Sequence, residues 1–432
     1  MHVLRKREPF ISSARNFNGF SNYEKPNKIV SNSGTIILLV MILYTPVAVF
    51  DFFYIIIAFI TFVIAITKKR IVIDNGLPRI FFLYFVALIF YSLIKSLGFE
   101  NTYDLKELSK LAIFVMIFST TRFIDLELLQ KIFLSYVVFD FALSFAEFTQ
   151  VTNFLTVFIS NLYHAGNHAS FAENWSSVRS LGLSPGPGQH GGLSLLFFIF
   201  FVTFYLFDKK TKVSFSGALL SLISLFLSQS KTAILCFFIF VTLTTLIFIF
   251  SNRGSSTIKA ILFAITCFIL GITIIDWALS TFYELQRLSA SGLEISSFTH
   301  RLSLWRMQIS ESLQAHPFLV LFGPGRGYLD FKSIYHNSFD SDYVYMFTQY
   351  GIAGSIIMSS VMMWFLIRNI LNFRSISTLK KSILMIMIIG VICGLALDFF
   401  SDIKILAIIA FLLATSRYHI SRIKQSSLCS TS

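Results

Sequence analysis

The stretch GLSLLFFIFFVTFYLF, residues 192–207, decides the fold. It carries no charge, and its apolar side chains fall on every face of a helix. It lacks the two-residue alternation of an outer-membrane barrel strand, so it reads as a helix that crosses a bilayer. About twelve runs of this kind follow one another, near 34–50, 51–67, 77–94, 105–121, 131–150, 192–207, 213–228, 231–250, 258–275, 346–367, 382–398 and 402–416. The 34–67 region also reads as one bent pair around Pro46 and Asp51. The whole chain agrees. Of 432 residues, 55% are hydrophobic and 13% charged, fifty-one are Phe, and the mean hydropathy is +0.73. A soluble domain has too little interior for that much apolar surface. The expected fold class is an all-α polytopic membrane protein. It has a basic cytoplasmic segment over 1–33, one transmembrane domain over 34–416 and a cytoplasmic tail over 417–432. The first apolar run begins only after Gly34, which argues against a cleavable signal peptide.

The net charge of +13 raises nucleic acid as a partner, but the placement of the charges answers it. With the N-terminus in the cytoplasm, most of the 35 basic residues fall on inner segments. Arg5, Lys6, Arg7, Lys68, Lys69, Arg70, Lys209, Lys210, Arg368, Arg374, Lys380 and Lys381 are examples. Basic inner loops are the general rule for membrane proteins, so no nucleic acid is implied. Both termini face the cytoplasm on this reading. Cys236, Cys267 and Cys393 lie in apolar runs and Cys429 lies in the tail, with no metal or disulfide spacing.

The inner loops are short, whereas two outer loops are long, about 151–191 and about 276–345. Such loops suit a membrane enzyme working on the outer face. The first contains SVRSLGLSPGPGQHGG, residues 177–192, where Pro and Gly build a turn without side-chain bulk. Gly186, Gly188, Gly191 and Gly192 admit a ligand or another helix close to the backbone, and a re-entrant turn into the next helix is an equal reading. Arg179 is the only arginine or lysine in that loop. His164, His168 and His190 have no metal spacing and read as solvated.

The second loop contains THRLSLWRMQISESLQAHP, residues 299–317. Thr299 is a candidate cap, and His316-Pro317 a stop. Arg301, Trp305, Gln308 and Ser312 share one helical face; Leu302, Ile309 and Leu313 share another. Two readings stand: an amphipathic helix on the membrane surface, or a helix that points Arg301 at an anionic headgroup, whose phosphate oxygens an Arg fork can bind in parallel. GPGRGYLDFKSIYHNSFDSDY follows, residues 323–343. It is neither a Walker A loop nor a dinucleotide fingerprint, but glycine-rich backbone can present N–H groups to an anion. Asp340-Ser341-Asp342 has the form of a metal-binding pair of nucleotide-sugar enzymes; nucleotide sugars are cytoplasmic, so no metal is assigned. His336 titrates near neutral pH and suits general-base work. Inside the spans, Asp140 either pairs structurally or meets substrate, with Glu147 two turns further out. Lys231 opens the eighth run at the outer face.

LSQSKT at 227–232, HRLSLWRMQI at 300–309, FGPGRGY at 322–328 and HNSFDSDYVYMFTQYGIAG at 336–354, in this order, resemble the polytopic O-antigen polymerase and ligase superfamily of bacterial surface-glycan assembly. The motifs cover roughly 179–354, and the rest matches by helix count. The resemblance implies a substrate, an oligosaccharide on undecaprenyl diphosphate at the outer face of the bacterial inner membrane. A polymerase transfers the growing chain onto the next lipid-linked unit; a ligase transfers it onto lipid A core. FDSDYVYMFTQYGIAG looks more like the polymerases, whereas His336-Asn337 is shared with ligase-like sequences. Lys231 stands where the family more often has arginine, and the paired arginine-to-glycine repeats of some polymerases are absent at their expected spacing.

The implied chemistry needs no cofactor, because the diphosphate is already a good leaving group. Arginines neutralise its developing charge, and a histidine or carboxylate activates the acceptor hydroxyl. The expected diphosphate contacts are Arg179, Arg301 and Arg326, with Arg306, Arg287 and Lys231 as further choices. His336 is the expected base, with Asp340 or Asp342 orienting or replacing it. Trp305, Tyr328, Tyr335 and Tyr343 are candidates to stack on sugars or to pack against lipid. Expected partners are the lipid-linked oligosaccharide, membrane lipid and a chain-length regulator. The alternatives are the ligase and a flippase for lipid-linked oligosaccharide. A flippase should line its interior with charges and keep its loops short.

Overall fold

The computed structural model describes residues 30–45, 77–98, 103–120, 125–149, 180–208, 211–250, 296–331 and 341–429, with isolated positions in 56–67 and at 265 and 269. Among the described residues the regular structure is entirely helical. The helices are α1 (Val30–Tyr44), α2 (Leu77–Gly98), α3 (Tyr103–Thr120), α4 (Leu126–Thr149), α5 (Pro187–Phe207), α6 (Lys212–Leu227) and α7 (Lys231–Phe250). Then come α8 (Ser296–Leu313), α9 (Pro317–Phe322), α10 (Gly325–Phe331), α11 (Asp342–Leu371), α12 (Thr378–Cys393) and α13 (Ile403–Cys429). Three of them, α4, α5 and α11, are long and apolar enough to cross a membrane. Shorter apolar stretches lie in α2, α3, α6, α7 and α13. The chain is thus an all-α protein with helices long and apolar enough to cross a membrane. Its second long loop is partly helical, as expected. The expected runs 51–67 and 258–275 fall largely outside the described residues.

α5 is the central post of the bundle. Its apolar window is 83% buried, against 22% for α11, so α5 is ringed by protein and α11 sits at the periphery. Pro187 takes its first turn, where the missing N–H has no helical partner to lose. α4, α6, α7, α12 and α13 surround it. Aromatic edges hold this core: Phe133 meets Phe197 and Phe200 with ring centroids 5.1 and 5.0 Å apart, and Phe198 meets Phe237 at 5.3 Å.

In hydrocarbon, helices gain no hydrophobic drive from pairing, so they associate by close packing of small residues. α6 shows this on its buried side, through Ser214, Gly217, Ala218, Ser221 and Ser224. The ring of Phe201 on α5 lies against Gly217, and a Cβ there would come within 2.6 Å of it. Gly217→Val is therefore expected to push α5 and α6 apart and to destabilise the fold by about 1–3 kcal/mol. Gly98→Val, at a site with nothing within 4 Å, should leave thermal unfolding in detergent unchanged.

α11 departs from the single helix expected over 346–367. It begins at Asp342 and breaks at Gly351, whose φ of +65° lies in the left-handed region. The break faces a second one. Gly323, φ +92°, lies against the backbone of Gln349 and Tyr350, while Gly351 lies against Leu321 and Gly323. Neither position has room for a side chain. α8 also differs from expectation at its start, which is Ser296 rather than a cap at Thr299. The expected stop holds: His316 Nδ1 accepts from the Phe318 N–H at 3.3 Å, and Pro317 opens α9.

Candidate functional site

The turn joining α12 to α13, residues 394–402, gathers the ends of several helices. Asp342, first in α11, donates its own N–H to the Gly394 carbonyl at 2.9 Å. Its carboxylate accepts from the Phe400 N–H at 2.7 Å and the Ser401 N–H at 3.0 Å. Thr232 at the start of α7 donates to the Ala396 carbonyl at 3.4 Å, and Arg301 Nη1 of α8 donates to the same oxygen at 3.3 Å. Gln189 at the start of α5 donates to Asp398 at 2.7 Å. Asp402 caps α13 by accepting from the Lys404 and Ile405 N–H groups. The N-termini of α5, α7, α11 and α13 thus meet one turn, together with Arg301 and, beside Thr232, the exposed Lys231. Asp342 and Asp402 already take N–H groups of this turn and of the start of α13, so what the place offers a further anion is Arg301, Lys231 and the N-termini of α5 and α7. An apolar cavity of about 120 Å³ lies against Asp342, between Met346, Met362, Met363, Val391 and Phe400.

The glycine-rich turn at 323–327 is folded into the protein. Asp104, fully buried at the start of α3, accepts from the N–H groups of Arg326 and Gly327, each at 3.2 Å, and from Gln349 Nε2 at 3.0 Å. Lys95 near the end of α2 donates to the carbonyls of Gly323 and Gln349 at 3.2 and 3.1 Å. The break at Gly351 releases the Gln349 carbonyl from its helical bond, and the buried ammonium satisfies it. Glu107, one turn along α3, is the hub of an ionic group. It pairs with Lys110 at 2.9 Å and Arg326 at 3.4 Å, and Tyr345 Oη donates to it at 2.5 Å. The anion expected at this glycine turn is therefore supplied by the chain itself, in the form of Asp104.

The first glycine-rich segment is built alike. Glu147 accepts from the N–H groups of Leu181 and Gly182 at 2.7 and 2.9 Å, and Asp140 from that of Leu183 at 2.9 Å. Lys404, buried at the start of α13, donates to the carbonyls of Leu183 at 2.7 Å and Leu43 at 3.1 Å. This is the re-entrant turn, and Asp140 serves it structurally. Gly191 meets Ser228, Ser230 and Ala233, and Gly192 meets Leu397, Phe399 and Ile405, so both glycines admit other helices and the 394–402 turn. His190 corrects the expectation of a solvated side chain. It is fully buried, with Nε2 3.0 Å from Ser144 Oγ and Nδ1 3.5 Å from the Asp140 carboxylate.

Of the expected site residues, Arg301, Lys231 and Asp342 stand at or beside the 394–402 turn. Arg326, on α10, is paired with Glu107 of α3, which also accepts from Tyr345 in the first turn of α11. Arg306 is exposed on α8, off the face that carries Arg301. Arg179, Arg287, His336, Asp340, Tyr335, His164 and His168 lie outside the described residues. Ser180, next after Arg179, donates its N–H to the Leu227 carbonyl at 3.1 Å, four residues before Lys231. α8 turns its polar face inward: Gln308 and Ser312 are buried against its neighbours, while Leu313 is 53% exposed. The face that carries Arg301 is thus the one aimed at protein. Sequence reading missed Lys95, Asp104, Glu107 and Lys404, all buried ionisable groups near span ends. Intramembrane ionisable residues are the signal that finds such groups. No family model, curated protein or solved structure matches the chain.

Proposed function

We propose that the chain is an integral-membrane glycosyltransferase that polymerises undecaprenyl-diphosphate-linked oligosaccharide units at the outer face of the bacterial inner membrane. In this reading about twelve helices cross the bilayer, both termini are cytoplasmic, and the 394–402 turn lies at the outer face. The observation that carries it is the convergence of both glycine-rich segments and of Arg301, Thr232 and Asp342 on one end of the bundle. Arg301 and Lys231, with Arg179 in support, hold the donor diphosphate, and Arg326 joins them while paired with Glu107. The apolar cavity at Asp342 offers a surface to the donor's lipid chain beside that charge. Both Asp342 oxygens bind backbone N–H groups, so Asp342 positions the turn, and His336 or Asp340 takes the proton of the acceptor hydroxyl. The deprotonated acceptor oxygen attacks the anomeric carbon and forms the new glycosidic bond, while the bond from that carbon to the diphosphate oxygen breaks and the diphosphate leaves with the electron pair.

One observation favours a flippase instead: the buried charges Lys95, Asp104, Glu107, Asp140, Glu147 and Lys404 in the bundle. Each, however, bonds the backbone of a turn or a neighbouring ion, as a structural anchor does, and none lines the cavity described above. The test uses purified protein in proteoliposomes with lipid-linked repeat units. Longer glycans on the carrier are the expected product. Transfer only to added lipid A core would identify a ligase, and translocation without a new glycosidic bond a flippase.

A further inference from the structure

The opposite end of the bundle carries a second charged feature, at the hairpin between α11 and α12. Arg368 lies in the last turn of α11, Arg374 in the connecting turn, and Lys380 and Lys381 in the first turn of α12. The guanidinium of Arg368 stacks over Trp364 at 5.2 Å. Lys381 lies 4.8 Å over Phe207 and 5.4 Å over Phe373, which themselves meet edge to face at 5.8 Å. Among the described residues no ion pair joins Arg368, Arg374 or Lys380 to a carboxylate. Lys380, ahead of the 382–398 run, has its ammonium pKa lowered by partial burial and by the facing Arg368. Like charges thus converge across the hairpin, which is a site short of an anion.

The surface beside these cations identifies the anion's carrier. Met363, Ile367, Ile370 and Leu371 are all more than half exposed on α11, Leu371 at 80%. They are apolar side chains on a peripheral membrane helix, directly next to Arg368. A free phosphate would use the cations and leave this strip untouched. A phospholipid uses both, with its phosphodiester at the cations and an acyl chain along the strip.

We propose that the α11–α12 hairpin is a binding site for an anionic phospholipid, whose phosphate is held by Arg368, Arg374, Lys380 and Lys381. Cations on aromatic rings are well suited to this, because the rings fix their position without neutralising them. This site is independent of the glycan chemistry at the other end, and its test does not use that chemistry.

The test measures thermal unfolding and lipid retention of the full chain in detergent with added lipid. Phosphatidylglycerol is expected to raise the unfolding temperature and to remain bound, where phosphatidylcholine does neither. Each basic residue at a membrane surface contributes about fivefold to anionic-lipid affinity, so the Arg374→Gln/Lys380→Gln variant should bind phosphatidylglycerol roughly twentyfold more weakly. Arg374 is exposed in the turn and Lys380 lies in the first turn of α12, where Gln is a good helix former, so the variant should fold, and its unfolding without added lipid checks this. Equal stabilisation by the two lipids would overturn the proposal. So would undiminished phosphatidylglycerol binding by the variant. Inorganic phosphate alone giving the full effect would show a free-anion site and reject the lipid.

Discussion

Arg301→Ala is expected to lower polymer formation in proteoliposomes by about 100-fold or more, since removing one preorganised donor from a developing oxyanion has an effect of that order. Arg301→Lys should recover only a small part of it. A lysine keeps the charge but not the planar fork that meets two phosphate oxygens at once. The residue also has a structural contact, the bond from Nη1 to the Ala396 carbonyl at 3.3 Å. Loss of that single bond is expected to lower stability by about 1–3 kcal/mol. Thermal unfolding separates the two roles. If Arg301→Lys unfolds like the parent yet stays nearly inactive, Arg301 acts on the donor. Activity that merely follows stability would remove Arg301 from the reaction. His336→Ala, in the same assay, should reduce turnover by about 100- to 10,000-fold, the range of general-base contributions. Full activity in both variants would reject the site assignment.

The sequence made the helices legible because a bilayer leaves few alternatives. A run such as 192–207 has no partner for its backbone but itself. It also made the two glycine-rich turns and the cations around them legible. The anchors of those turns stayed hidden for a physical reason. Asp104 and Gly327 are bonded at 3.2 Å but lie more than two hundred residues apart, as do Lys404 and Leu183. A lone carboxylate or ammonium near the end of an apolar run looks like a headgroup-level charge until its partner is known. The break in α11 was hidden likewise. Gly351 reads as one more glycine in a membrane helix, and only Gly323, packed against it, makes its left-handed geometry necessary. His190 was misread because its neighbours in the chain are a flexible-looking Pro-Gly tract, whereas its neighbours in space are Ser144 and Asp140.

Glu107→Ala is expected to produce the largest loss of stability, about 3–5 kcal/mol, because it removes one partner from a buried ionic group and leaves the others behind. Glu107 is fully buried and meets Lys110 at 2.9 Å, Arg326 at 3.4 Å and the Tyr345 hydroxyl at 2.5 Å. Its removal leaves Lys110 and Arg326, whose side chains are 24% and 26% exposed, near each other with one less carboxylate and leaves the buried Tyr345 hydroxyl without that acceptor. Arg326 sits inside the 323–327 turn, so the disturbance passes to Gly323 and from there to the break at Gly351. Glu107→Gln tests whether charge or shape matters. The amide keeps the size and can accept from Tyr345, but it cannot balance Lys110 and Arg326, so it should recover less than half of the loss. Glu127→Ala is the control. Glu127 pairs with Lys131 at 2.8 Å, closer than either cation approaches Glu107, but both partners are largely exposed. An exposed pair contributes at most about 1 kcal/mol. Thermal unfolding in detergent should therefore rank Glu107→Ala below Glu107→Gln, and both well below Glu127→Ala. An unchanged unfolding temperature for Glu107→Ala would mean that the 323–327 turn is held by Asp104 and Lys95 alone.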